Sequence, residues 1–180
     1  GGNTKERAAH MAFCRNKYLD IIKEKHIDVD YVVVVDTDLF GWEIQGLVSS
    51  LGYDNWDAMT SNGLDINLNS FIYYDIWSYV VDGKLNMEET KLSDLFYNPP
   101  VPIQSGFGGL AIYRTPAIMS AEYGVAVVDG GVGSEHVGLH QNMTRAGFGR
   151  IFLNPAQTTL RLDKETIKGN DKALIEKLLI

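Results

Sequence analysis

The chain has 180 residues, enough for one domain with a sizeable core and too few for two well-packed halves. Hydrophobic residues make up 45% and charged residues 22%, a globular composition that argues against disorder. The net charge of -7 argues against a nucleic-acid partner, and the single cysteine, Cys14, excludes an internal disulfide framework. We therefore expect a single domain over residues 1–180.

The sequence contains no segment typical of a membrane anchor or a leader. The longest apolar run, 31–35, is much shorter than the ~20 residues that a membrane-spanning helix needs. The first residues do not show a charged stretch followed by an apolar one. We expect a soluble domain with no membrane segment in this chain.

The first predicted element is a helix that begins after Asn3 and ends near His26. Asn3 is a candidate N-cap, Glu6 completes a capping box, and apolar residues recur at helical spacing. The continuous β-branched run over 31–35 then predicts a strand buried on both faces, as in a parallel sheet covered by helices. A helix before such a strand is half of a βαβ unit, so we expect the chain to begin inside its fold, without the first strand.

The rest of the chain alternates between short helices and short strands, which Gly and Pro residues separate. The predicted helices cover 43–51, 91–97, 116–121, 134–145 and 172–179, and the predicted strands cover 56–60, 71–77, 108–113, 125–128 and 150–153. This order predicts an α/β fold with a mainly parallel central sheet flanked by helices.

The motif with the most chemical content is Asp36-Thr37-Asp38, directly after the valine strand. Residues two apart in an extended chain point to the same side, so both carboxylates can address one cation. Open α/β sheets bind ligands at the carboxyl ends of their strands, and Mg²⁺ and Mn²⁺ prefer carboxylate oxygens. We predict Mn²⁺ or Mg²⁺ on Asp36 and Asp38; the alternative is that both residues only cap a loop.

A hydrophobic strand followed by Asp-x-Asp fits two enzyme classes. In haloacid-dehalogenase-like phosphatases, Thr or Val stands two residues after the second aspartate, where this chain has Phe40. That class also needs a downstream Asp-Asp pair, which this sequence lacks, so we exclude it. The other class is the GT-A glycosyltransferases, in which the motif holds a metal against the diphosphate of a nucleotide-sugar donor.

Further segments, in their order and spacing, resemble GT-A glycosyltransferases over residues from about 7 to 157. They are Arg15-Asn16, VVVVDTDLFGW, Trp56-Asp57-Ala58, Tyr73-Tyr74-Asp75-Ile76-Trp77, Gln104-Ser105-Gly106-Phe107-Gly108-Gly109, Ser134-Glu135-His136 and 149–155. The resemblance is closest to glycosyltransferases of large DNA viruses and fungal capsule-type mannosyltransferases. It implies a Rossmann-like GT-A fold, although the family's first strand and base-gripping loop do not precede Asn3.

The resemblance also implies an activity: transfer of a hexosyl group from a nucleotide-diphosphate sugar to a hydroxyl acceptor such as a glycan. Glu135 corresponds to the acidic residue at which inverting members keep a general base; the alternative is a carboxylate that only caps its helix. His136 and His140 share a helix face, so His140, or else His136, is a candidate third metal ligand. The alternative is that both histidines pack in the core.

Four other residues are candidates for binding the donor. Asp75, among aromatic residues, is expected to bond sugar hydroxyls, unless those aromatic residues are core. Gly108 and Gly109 are expected to let the backbone approach the donor closely, unless they only form a turn. Arg15 is expected to reach a phosphate from its helix, unless it is simply solvated.

Two other functions remain open at this stage. An inactive sugar-nucleotide or carbohydrate-binding module derived from such an enzyme would bind its ligand without turnover. A purely structural or partner-binding domain would not bind manganese. The sequence leaves the location open between the cytoplasm and a Golgi-type glycosylation compartment, and the motifs do not distinguish inverting from retaining transfer.

Overall fold

The computed structural model of the chain describes residues 4–67, 70–85 and 99–162, and the predicted helices over 91–97 and 172–179 lie outside the described residues. No helix within these ranges is both long enough and apolar enough to cross a membrane. The helices are α1 (Thr4–Glu24), α2 (Ile44–Leu51), α3 (Thr115–Met119) and α4 (Glu135–Arg145).

The strands are β1 (Tyr31–Val35), β2 (Gly41–Trp42), β3 (Ala58–Asn67), β4 (Ser70–Tyr73), β5 (Val80–Val81), β6 (Lys84–Leu85), β7 (Val101–Ile103), β8 (Leu110–Arg114), β9 (Val127–Val128), β10 (Gly131–Val132) and β11 (Ile151–Leu162). Seven of them form one sheet in the order β1-β8-β3-β11-β2, with β4 beside β3 and β7 beside β11. The pairs β5–β6 and β9–β10 form separate two-stranded sheets.

The structure is mixed α/β, but the expectation of a mainly parallel sheet is wrong. Within the described strands of the large sheet, only β3 and β11 pair in parallel, and the other five pairs are antiparallel. The expectation rests on the alternating order of helices and strands and on the β-branched run of β1. Yet β1 pairs only with β8 in the described part of the chain, and Val33 is 47% exposed. Among the described strands, this run of valines therefore lies at one end of the sheet order and is not buried on both faces.

The two faces of the sheet carry separate cores, because alternate residues of a strand point to opposite faces. On one face, the helices α1, α3 and α4 pack against Val34, Ala111 and Tyr113. On the other face, Leu47 of α2 packs against a cluster formed by Trp56, Met59, Leu110 and Ile112. The sheet thus lies between helices. The Asp-x-Asp motif directly follows β1, which is the first strand in the sheet order.

Strand β11 continues well beyond its predicted end at Leu153. It pairs with β3 in one register up to Asn154 and in a shifted register from Thr158, with the irregularity between them. The bulge accommodates Pro155, which lacks the N–H that an unbroken ladder requires. As a result, the second half of β11 places Arg161 opposite Asp65 of β3.

Candidate functional site

Most of the predicted site residues line one pocket, which has a volume of about 790 Å³. Its wall comes from one side of α1, the loop after β1, the segment after β4 and the first turn of α4. On α1 the wall includes Arg7, Met11 and Arg15, because residues four apart share a helix face. The sequence-predicted residues in the wall are Arg15, Asp36, Asp38, Asp75, Glu135 and His136.

The two aspartates of the motif lie where β1 ends. The Asp36 N–H donates to the Gly109 carbonyl at 2.8 Å, which extends the pairing of β1 with β8 by one residue. Asp36 is partly buried, whereas Asp38 is exposed and has no hydrogen bond or ion pair to any described residue. Burial raises the pKa of Asp36; Arg15 opposes this effect, and the nearby charge of Asp38 adds to it.

Arg15 connects two acidic residues from distant parts of the sequence. Its Nη2 donates to Asp36 Oδ1 at 2.6 Å, and its Nε donates to Glu135 Oε1 at 2.8 Å. The guanidinium also lies over the Phe107 ring, 5.2 Å from its centroid. Burial lowers the pKa of Arg15, but the ion pair with Asp36 and the charges around it outweigh burial, so the net shift is upward and Arg15 stays charged. Arg15 is therefore already engaged by carboxylates, rather than pointing freely toward a phosphate.

Glu135 occupies the first turn of α4, and its side chain is almost fully buried. A carboxylate in this position is favoured by the helix dipole. The Arg15 bond uses Oε1, and no described residue bonds Oε2, which leaves that oxygen available to a ligand in the pocket. Ser134 precedes it at the N-cap position, but the Ser134 hydroxyl bonds Ser78 instead of capping the helix.

His140 lies in a buried polar network rather than in the pocket wall. Its Nδ1 is 2.9 Å from Ser105 Oγ and its Nε2 is 3.2 Å from Tyr113 Oη. Burial lowers the pKa of His140 to about 3, so the imidazole is neutral. Because both ring nitrogens already have partners, the expectation that His140 is the third metal ligand does not fit this geometry.

His136, one turn earlier on α4, lies in the pocket wall and is 2% exposed. Its ring stacks on Phe107, with 3.6 Å between the centroids, and neither ring nitrogen has a hydrogen-bond partner among the described residues. Burial lowers the pKa of His136 well below its usual range, and the charge of Arg15 adds to this effect. The described residues contain no group of three His, Cys, Asp or Glu side chains that could hold a metal ion, so neither histidine joins Asp36 and Asp38 in such a group.

Asp75 follows β4 in a left-handed backbone conformation, with φ of 74°. Its Oδ1 accepts from Ser78 Oγ at 2.8 Å, and its Oδ2 accepts from the Gly108 N–H at 3.1 Å. Burial raises the pKa of Asp75 to about 7, although these two hydrogen bonds act in the opposite direction. Four other described non-glycine residues have positive φ and lie outside the pocket wall (His26, Asn55, Asp82 and Asp129), so this conformation alone does not assign a ligand to Asp75.

Gly108 and Gly109 are not in the pocket wall. Both have positive φ, and the space beside each is occupied by the protein itself. A Cβ on Gly108 would lie 2.2 Å from the Ser61 carbonyl oxygen, and one on Gly109 would lie 2.1 Å from Tyr74 Oη. These contacts explain both glycines without a donor molecule, so the predicted close approach of a ligand is not needed to account for them.

The sequence interpretation missed a second charged group in the wall, formed by Asp65, Tyr74 and Arg161. Arg161 Nη2 lies 2.8 Å from Asp65 Oδ2, and its guanidinium lies 4.6 Å from the Tyr74 ring centroid. Asp65 Oδ1, Tyr74 Oη and Arg161 Nε are buried with no partner among the described residues. The polar–apolar alternation over 159–162 could have revealed Arg161, because it continues the strand beyond Pro155.

Comparison with models of known protein families finds no family that matches the chain, and comparison with curated proteins finds no matching sequence.

Proposed function

We propose that this chain is a metal-dependent glycosyltransferase that moves a hexosyl group from a nucleotide-diphosphate sugar to a hydroxyl acceptor, such as a glycan. The observation that carries the proposal is that Asp36, Asp38 and Glu135 line one pocket. The proposal includes a GT-A type of fold, supported by an Asp-x-Asp motif at a strand end and by helices on both faces of a mixed sheet. We also propose that the donor and acceptor meet in this pocket.

The oxygen atoms available at the strand end suit a hard divalent cation. Asp36 Oδ2 and both carboxylate oxygens of Asp38 have no partner among the described residues. Carboxylate oxygens are the ligands that Mg²⁺ and Mn²⁺ prefer, so we assign Mn²⁺ or Mg²⁺ to Asp36 and Asp38. When bound, such a cation neutralises the negative charge that develops on the leaving diphosphate.

Glu135 is the proposed general base of an inverting reaction. Arg15 bonds Oε1, so we assign to Oε2 the role of accepting a proton from the acceptor hydroxyl. As that proton leaves, the hydroxyl oxygen forms a bond to the anomeric carbon, and the bond from that carbon to the diphosphate oxygen breaks. A retaining reaction needs no such base, and Glu135 would then only hold Arg15.

The second candidate is a carbohydrate- or nucleotide-binding module without turnover. The ion pair between Arg15 and Asp36 favours it, because a cation of the chain itself already neutralises one aspartate of the motif. Such a module would bind a sugar nucleotide or a glycan in the same pocket. It would release no nucleotide.

The decisive experiment is a calorimetric titration with MnCl₂, followed by UDP-glucose, UDP-galactose or GDP-mannose. We expect Mn²⁺-dependent binding of at least one of these donors, and we expect Asp38→Asn to abolish it. The matched control is Asp54→Asn, which alters an exposed aspartate outside the pocket. Equal donor binding by Asp38→Asn and the wild type would refute the role assigned to the motif.

An assay of nucleotide release then separates the two candidates. Release from the bound donor, alone or with an added glycan, supports a transferase. Binding without release supports the module. Binding of neither manganese nor any of the three donors would favour a structural or partner-binding domain.

A further inference from the structure

His136 is a buried polar side chain whose hydrogen-bonding needs the fold does not meet. It is 2% exposed, and neither Nδ1 nor Nε2 has a partner within the described part of the chain. Burying polar atoms without partners destabilises a folded protein, so buried imidazoles usually have partners. An exception in a pocket wall indicates a place where a ligand supplies the missing partner.

His140 shows that this chain does satisfy a buried histidine where the role is structural. It lies four residues later on the same helix and is 0% exposed. Ser105 and Tyr113 provide partners for both of its ring nitrogens. The two histidines thus share burial and helix, and they differ in that described residues bond both nitrogens of His140 and neither nitrogen of His136.

The His136 ring is held in a fixed orientation. Phe107 stacks against one face at an interplanar angle of 16°, and Tyr123 approaches with an interplanar angle of 85°. Nε2 lies 3.6 Å from Glu135 Oε1, slightly too far for a hydrogen bond. A ring fixed by aromatic contacts loses little conformational freedom when a ligand bonds one of its nitrogens.

The chemistry of the ring specifies the kind of ligand group. Burial and the charge of Arg15 keep His136 neutral, so one nitrogen donates a hydrogen bond and the other accepts one. A hydroxyl group can accept from the N–H or donate to the unprotonated nitrogen, whereas an ionised phosphate oxygen can only accept. We propose that His136 binds a hydroxyl group of a carbohydrate in this pocket, an inference that rests on the proposed function.

The test is His136→Phe, which keeps an aromatic ring against Phe107 and removes both nitrogens. We expect the affinity for UDP-glucose, UDP-galactose or GDP-mannose, whichever binds the wild type, to fall about tenfold (~1.4 kcal/mol). The affinity for UDP or GDP, which carry no sugar, should not change. His136→Gln keeps a donor and an acceptor, and it should retain more of the sugar-nucleotide affinity than His136→Phe.

The melting temperature separates a ligand-binding histidine from a structural one, because the two substitutions should change it in different directions. We expect His136→Phe to match or exceed the wild-type melting temperature, because two unpaired polar atoms disappear. His140→Phe should lower it, because Ser105 and Tyr113 then lose their partner. A drop for His136→Phe as large as that for His140→Phe, without selective loss of sugar binding, would overturn the proposal.

The same variants identify the source of the hydroxyl. If the donor carries it, His136→Phe weakens sugar-nucleotide binding. If the acceptor carries it, donor binding is unchanged and binding of methyl α-mannoside or methyl β-glucoside, titrated in the presence of Mn²⁺ and the nucleotide, weakens instead. If His136→Phe binds both the donor and the methyl glycoside as tightly as the wild type does, this inference is refuted and the proposed function is not. No binding of any probe by the wild type refutes the proposed function as well.

Discussion

Arg15 Nη2 lies 2.6 Å from Asp36 Oδ1, so an ion pair joins α1 to the loop that follows β1. The other arm of the same guanidinium bonds Glu135 on α4. One cation of the chain thus lies between the proposed metal-binding residue and the proposed base. A divalent cation that binds Asp36 must share that carboxylate with Arg15 or displace it.

Replacing Arg15 by glutamine should strengthen metal binding. Removal of the guanidinium leaves the acidic cluster more negative and frees Asp36 Oδ1, so we expect about tenfold tighter binding of Mn²⁺, or ~1.4 kcal/mol, at pH 7.5. Calorimetry with MnCl₂ measures the affinity. Arg150→Gln is the matched control, because Arg150 pairs with Asp57 away from the pocket and should leave the affinity unchanged. Weaker binding by Arg15→Gln would mean that Arg15 orients Asp36 for the metal rather than competing with it.

Asp75 should make stability depend on pH in an unusual direction. Burial raises its pKa to about 7, whereas an unfolded aspartate titrates near ~3.9. Between these values the folded protein binds the proton more tightly, so the contribution of Asp75 to the free energy of unfolding falls as pH rises and is constant above about 7.

The variant Asp75→Asn removes this titration. We expect the melting temperature of Asp75→Asn, relative to the wild type, to increase from pH 5 to pH 8. Carboxylates away from the pocket titrate equally in both proteins, so the difference reports on Asp75 and on the two carboxylates whose charges act on it, Asp36 and Glu135. A difference that stays constant over this range would show that the carboxyl group has an ordinary pKa.

The tight packing at Gly108 gives a third prediction, with Gly130 as its control. Both residues have positive φ, but a Cβ on Gly130 would meet nothing within 4 Å. Gly130→Ala should therefore reveal the backbone strain alone, about 1 kcal/mol. Gly108→Ala adds the clash with Ser61 and should lower the free energy of unfolding by about 3 kcal/mol. Urea denaturation measures both values, and equal losses would contradict the packing argument.

Local sequence patterns located the elements better than they located their partners. The β-branched run of β1 identified the strand itself, with the bounds that the structure has. Its neighbour, β8, lies about 80 residues further along the chain, and a local pattern contains no information about such a pairing. Pro155 ended the predicted last strand too early, because a bulge that bypasses a proline depends on the partner strand.

In the candidate site too, the sequence predicts local spacing but not contacts between distant parts of the chain. Helical spacing correctly places His136 and His140 near each other on α4, with 6.4 Å between the ring centroids. It does not indicate which of them faces a pocket, because Ser105 and Tyr113 come from other parts of the chain. The motif residues Asp36 and Asp38 do lie in the pocket wall, and their metal-binding role stays a prediction.

The one-sided pairing of β1 has a consequence for how firmly the motif is held. Hydrogen bonds of Asp36 and Asp30 point toward β8, so the backbone groups of Tyr31, Val33 and Val35 point to the other side, where no described strand lies. Amide hydrogens along this strand should therefore exchange with deuterium in alternation, fast at odd-numbered residues and slowly at even-numbered ones. Asp36 and Asp38 follow a strand that is hydrogen-bonded on one side only, so we expect them to move with it. A ligand that bridges these aspartates to α4 would reduce that motion.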